Sequence, residues 1–223
     1  MKKNLQALLF TLTSAVLSTV VHGEAAVKAG KEKSAACAGC HGENGNSMVA
    51  TFPKLAQQHP SYLIKQLTAF KEDTRNDPMM SSVAKGLSEQ DMAEIAAFYS
   101  TQHISQNDMP VLPDDDEDTG GIQTGEKETI QSVIAKGSDL YRNGNLSSEV
   151  SACIACHGPH GEGNKPAAFP SIKQQHADYL IKTLNDFKSG VRSNNPENMM
   201  HMIAQKMTDE EIKAVAYYIS MMK

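Results

Sequence analysis

Helical spacing dominates the apolar positions of this chain. Leu63, Leu67 and Phe70 stand at i, i+4 and i+7, and Leu180, Leu184 and Phe187 repeat that spacing. This is the pattern of helices that bury one face. Met92, Ile95 and Tyr99 form the apolar stripe of a later helix opening on Ser88-Glu89-Gln90-Asp91. Ile212, Val215 and Ile219 form its counterpart, opening on Thr208-Asp209-Glu210-Glu211. At each start a hydroxyl is followed three residues on by an acid, which caps a helix. Lys28 to Ala36 and Ile130 to Leu140 read as further helices. No run alternates apolar and polar residues as a strand would. The pattern predicts an all-α protein whose helices are joined by long loops containing Gly and Pro.

The helices come in two matching sets. Phe52 to Arg75 reads FPKLAQQHPSYLIKQLTAFKEDTR, and Phe169 to Arg192 reads FPSIKQQHADYLIKTLNDFKSGVR; 13 of 24 positions are identical. Cys37-Ala38-Gly39-Cys40-His41-Gly42 likewise pairs with Cys153-Ile154-Ala155-Cys156-His157-Gly158, and Met79-Met80 with Met199-Met200. Two copies of one small domain account for 223 residues better than one large domain does. The expected boundaries are 24–105 for the first copy, 106–126 for a linker and 127–223 for the second. The linker combines Met109-Pro110-Val111-Leu112-Pro113, the acidic run Asp114-Asp115-Asp116-Glu117-Asp118 and Gly120-Gly121, the composition of a solvated spacer.

The first 23 residues read as an address. A basic start, Met1-Lys2-Lys3, precedes the apolar stretch Leu5 to Val21, and Val21-His22-Gly23 supplies a cleavage site. This is the order of parts in a secretory signal peptide. Export with cleavage after Gly23 is expected; the rival reading is an uncleaved anchor. The net charge is −5, from 21 Lys and Arg against 26 Asp and Glu. Without a basic stripe, such a chain is not expected to bind nucleic acid. Aromatic residues make up 5% and Trp is absent. A small domain with so little to pack is marginal by itself, so another group is expected at the centre of each copy.

The four cysteines identify that group. All fall in two C-x-x-C-H motifs, Cys37, Cys40, His41 and Cys153, Cys156, His157. The spacing suits covalent c-type haem. Two thiols on one helical turn reach the two vinyl groups of a porphyrin, and the next residue brings an imidazole under the iron. A thioredoxin-like dithiol needs a βαβ setting, and none is visible. A four-cysteine zinc site would draw on pairs more than 110 residues apart. Two disulfides fit an exported chain, but leave a His after each pair unexplained. The expected cofactors are therefore two covalently bound haem c groups.

A six-coordinate iron needs a second axial ligand, and it must recur in both copies. Met80 and Met200 lie 40 and 44 residues beyond the second cysteine of their motifs, each seven before the Leu87 or Met207 that precedes the last helix. A thioether raises the potential relative to a second imidazole, which suits an electron carrier. The expected axial sets are His41 with Met80 and His157 with Met200. Met79 with Met199 and His59 with His176 are alternatives, and His201 and Met202 crowd the second site. The carbonyls near Pro53 and Pro170 are expected to accept from Nδ1 of the two axial histidines and fix their tautomer. Tyr62, Tyr179, Arg75 and Arg192 are candidates for contact with haem propionates.

The ordered set resembles the dihaem cytochrome c4 family across residues 24–223. It comprises C-x-x-C-H, Gly-Asn at Gly45-Asn46 and Gly163-Asn164, Phe-Pro, Tyr-Leu-x-Lys-x-Leu, and a Met before the last helix. The resemblance implies two class I cytochrome c domains packed face to face about a pseudo-twofold axis. It implies a periplasmic carrier passing electrons from a quinol-oxidising complex to a terminal oxidase, in places held at the inner membrane. With both irons closed by protein ligands, no catalytic residue and no small-molecule substrate is expected. A cytochrome subunit of a dehydrogenase complex is the alternative, and a dihaem peroxidase, which needs an open iron, a further one.

Overall fold

The computed structural model describes residues 23–112 and 128–223. The expected leader up to His22 and the acidic run from Asp114 to Asp118 lie outside the described residues.

The first copy begins with α1, over residues 23–33, and continues after a turn at Ser34 into α2, Ala35–His41. Three helices follow: α3 Pro60–Lys71, α4 Pro78–Lys85 and α5 Glu89–Ser100. The second copy holds α6 Ile130–Asn143, α7 Ile154–His157, α8 Ala177–Lys188, α9 Met199–Ala204 and α10 Asp209–Ser220. Among the described residues the only β pairing is two isolated bridges, Asn145 with Val150 and Asn164 with Phe169. The fold is all-α, as the periodicity predicts. Both capping boxes read from the sequence form: Ser88 with Asp91 on α5 and Thr208 with Glu211 on α10. A third, Thr129 with Ser132, starts α6; its Ser at the third position falls outside the acidic pattern.

Each copy crosses its first and last helices at a glycine. A β-carbon on Gly30 would lie 1.9 Å from the Glu94 carbonyl oxygen of α5, and one on Gly137 would lie 2.0 Å from the Ala214 carbonyl oxygen of α10. Only a hydrogen lets the two backbones approach so closely. The cores then form around the last helices. Leu63, Ile95, Ala96, Phe98 and Tyr99 cluster in the first copy. Leu140, Tyr141, Leu180, Ile212, Val215 and Ile219 belong to the main cluster of the second. Leu67 and Leu184, aligned with these by helical spacing, stay only partly buried.

The two copies are joined by paired polar contacts that exchange when the copies are swapped. The Gln175 carboxamide accepts from Lys54 N at 2.8 Å and donates to Lys54 O at 3.0 Å. The Gln58 carboxamide accepts from Ser171 N at 2.9 Å and donates to Ser171 O at 2.8 Å. Asn107 and Leu112, at the start of the expected linker, contact the second copy. Asn107 Nδ2 donates to the carbonyls of Gln174, Gln175 and Ser220. Leu112 packs beside Val133, Ala214 and Tyr217.

Candidate haem sites

Helix α2 carries Cys37, Cys40 and His41 on one short stretch, with His41 as its last residue. Helix α7 does the same for Cys156 and His157, with Cys153 at its N-cap. Each helix stops because the next residue is a glycine at positive φ: Gly42 at 77° and Gly158 at 78°. A residue with a β-carbon is strained there, so the motif's trailing Gly fixes where the imidazole leaves the helix. His41 and His157 are both buried. Nδ1 of His41 donates to Pro53 O at 2.8 Å, and Nδ1 of His157 to Pro170 O at 3.0 Å. These are the carbonyl contacts expected from the Phe-Pro spacing. They leave Nε2 as the free nitrogen of each ring. Burial lowers both imidazole pKa values, opposed in part by the carbonyl bond, which favours the neutral, ligating form.

The four thiols are free and half-buried. Burial pushes Cys153 up to about 11 and raises Cys37 as well. Burial thus disfavours the thiolate that a dithiol exchange site uses, at Cys37 and Cys153. Tyr99 stands beside Cys37 and Tyr141 beside Cys153. The two phenols come from different helices, α5 and α6, so the repeat preserves the position while changing its source.

The methionines lie on short helices after α3 and α8. Met80 is at the third position of α4, where its N–H donates to the Asp77 carboxylate at 3.0 Å. Met200 is on α9, with its N–H donating to Asn195 Oδ1 at 2.8 Å. Met79 is 55% exposed, whereas Met80 is partly buried, which favours Met80 for an inward role. Met199 and Met200 are both partly buried. His59 and His176 are engaged elsewhere. Nε2 of His59 donates to Glu162 O at 2.7 Å, and Nε2 of His176 lies 3.0 Å from Ser47 O. Both bonds cross between the copies.

Arg75, Arg192, Tyr62 and Tyr179 meet at the same junction. Arg75 donates to Tyr179 Oη at 3.1 Å, Arg192 to Tyr62 Oη at 3.0 Å, and both guanidiniums donate to Gln66 Oε1. Each also stacks on a phenylalanine of its own copy, Arg75 on Phe70 and Arg192 on Phe187, both at 4.5 Å. Burial raises the Tyr179 pKa, but the two arginines outweigh it and bring the phenol below its ordinary value. Among the described residues neither guanidinium has a carboxylate partner. Two partly or fully buried cations served by phenols and by the amides of Gln66 and Asn194, all neutral groups, leave room for anionic ones. Paired thiols, histidines presenting Nε2, and unneutralised arginines together fit a haem with its propionates in each copy.

The resemblance implies that the two copies face each other, but the glutamines that build the junction were not read from the sequence. Their signal was Gln-Gln-His, identical in both copies. Gln57 and Gln174, at φ of 60° and 56°, turn the chain so that Gln58 and Gln175 face the other copy.

Two C-x-x-C-H helices in two copies of one helical fold define a dihaem c-type cytochrome, with two covalently bound haem c groups. The cytochrome c family model matches residues 27–102 and 134–223. Cytochrome c4 of Azotobacter vinelandii is 36% identical over 98% of this chain and 98% of its own. The thiosulfate dehydrogenase electron acceptor of Stutzerimonas stutzeri strain A1501 is 36% identical over 83% of this chain and 78% of its own. The crystal structure of reduced recombinant cytochrome c4 from Pseudomonas stutzeri superposes with a TM-score of 0.76 at 33% identity, covering 88% of this chain and 98% of that one. The chain belongs to the cytochrome c4 family and is a dihaem electron carrier.

Proposed function

We propose that the protein is a periplasmic shuttle that takes electrons from a quinol-oxidising complex and delivers them to a terminal oxidase, without enzymatic activity of its own. Cys37 and Cys40 hold one haem and Cys153 and Cys156 the other. His41 with Met80 would hold one haem iron, and His157 with Met200 the other. Arg75, Arg192, Tyr62 and Tyr179 supply donors for the propionates. Bound haem supplies a one-electron couple whose potential is set by its axial ligands. The protein fixes the imidazole through Pro53 and Pro170 and keeps the iron closed, so little rearrangement accompanies transfer.

The observation that carries this reading is the matched pair of Nδ1–carbonyl bonds, which leaves one free imidazole nitrogen, Nε2, in each copy. The purified protein should contain two haems per chain, show a thioether–iron charge-transfer band when oxidised, and bind no carbon monoxide when reduced. Reduced protein should be oxidised by membranes containing the terminal oxidase. Peroxide turnover, or stoichiometric carbon monoxide binding, would replace the carrier with an enzyme whose iron is open. A second reading, an electron acceptor of a dehydrogenase, draws on the similarity to the thiosulfate dehydrogenase electron acceptor. Rapid reduction by such a dehydrogenase with thiosulfate, and none by quinol with its oxidising complex, would favour it.

A further inference from the structure

The two methionine-bearing helices are fastened differently. In the first copy Asp77 is a true N-cap, its carboxylate accepting from Met80 N, and Pro78 sits at the first helical position. This is a strong local start. In the second copy α9 has six residues, and its N-cap side chain, Asn198, makes no cap bond; the acceptor for Met200 N is Asn195, further back along the chain. The chain reaches it through Glu197 and Asn198, at φ of 51° and 55°. Two successive side-chain-bearing residues in the left-handed region carry strain, and such a segment persists only where its surroundings hold it.

His201 provides one such restraint. It lies on α9, and its Nδ1 donates to Phe187 O at 2.7 Å, near the end of α8. That end is itself anchored. Phe187 is buried, Arg192 stacks on its ring, and Arg192 is fixed across the junction by Tyr62 and Gln66. The corresponding position in the first copy is Ser81, which bonds the Asp73 carboxylate just beyond α3, so there the tie runs to a side chain and in the second copy to a backbone carbonyl.

We infer that His201 is a positioning residue. Through its bond to Phe187 O it holds the strained α9 so that Met200 stays on the second haem iron. This rests on the reading of Met200 as axial ligand.

The test uses the haem-loaded full chain and compares the parent with His201→Ala and His201→Asn. Asparagine places an amide N–H where Nδ1 lies. In the reduced protein each iron-bound methionine gives its own set of ring-current-shifted methyl resonances. The set lost in Met200→Ala identifies the second haem. His201→Ala should broaden or lose that set alone, bind up to one carbon monoxide per chain and lower one potential, while His201→Asn restores the parent behaviour. The inference is overturned if His201→Ala keeps both sets and excludes carbon monoxide as the parent does. It is equally overturned if His201→Asn loses the set. If His201→Ala does not fold, the outcome for His201→Asn decides. A parent lacking the Met200-dependent set would instead refute the ligand assignment itself.

Discussion

On the proposed ligation, Met80 and Met200 make the chemistry depend on single side chains. A thioether is a weak donor that favours ferrous iron, and imidazole favours ferric iron. Met80→His and Met200→His should each lower the potential of one haem and keep it low-spin, as a spectroelectrochemical titration would resolve. Met80→Ala should open one site and take up one carbon monoxide per chain when reduced. Lys54 is a different kind of singular residue. It is 3% exposed, and Nζ donates to Ser105 O and Asn107 Oδ1 rather than to a carboxylate. Burial lowers its pKa to about 8. The folded state therefore disfavours the charged form relative to the unfolded chain, which titrates near its ordinary 10.5. Between those values the unfolded chain binds more protons, so this group's contribution to stability rises with pH from about 8 toward 10. Denaturant midpoints of Lys54→Met should lack that rise, seen as a difference from the parent across the same pH range.

Helices were the most legible level. Their apolar spacing and acidic caps follow from local rules that a sequence displays directly. Met92, Ile95, Tyr99, Ile212, Val215 and Ile219, read as stripe residues, are all buried. The break at Ser34 was not legible, because the apolar pattern continues through it from α1 into α2. Nor was the crossing of first and last helices, since Gly30 and Gly137 look like weak points in a helix until the partner is known. Magnitudes decide what those glycines do. Alanine gains about 1 kcal/mol in intrinsic helix propensity over glycine. Against this, the added β-carbon would stand 2.0 Å from Ala214 O in the second copy, and relieving such an overlap costs roughly 1–3 kcal/mol or more. Gly137→Ala should therefore be destabilising, with a lower denaturant midpoint. Thr208→Ala, which removes only the cap of α10, should cost about 1 kcal/mol.

At the scale of the whole molecule the duplication becomes an interface. The haem motifs were legible because their chemistry is local: two thiols and an imidazole within five residues. The residues of the junction were not, since its glutamine, histidine and arginine–tyrosine bonds join residues more than 100 positions apart, and their meaning appears only when one copy faces the other. Gln58 and Gln175 are its clearest elements. Both are buried, and each completes two hydrogen bonds to one backbone residue of the other copy. Replacing one by leucine leaves a buried N–H and a buried carbonyl unsatisfied, at about 1–3 kcal/mol for each group. The loss falls on docking, because neither carboxamide belongs to the apolar cluster of its own copy. Gln58→Leu with Gln175→Leu should therefore leave each domain folded around its haem but weaken their union. In the parent, the two haem absorbances and the far-ultraviolet helical signal should report one shared denaturant transition. In the double variant the transitions should separate, and small-angle X-ray scattering should give a larger radius of gyration before either domain unfolds. A single coincident transition at the parent midpoint would mean that the amide pairs contribute nothing to docking, and that His59, His176 and the arginine–tyrosine pairs suffice.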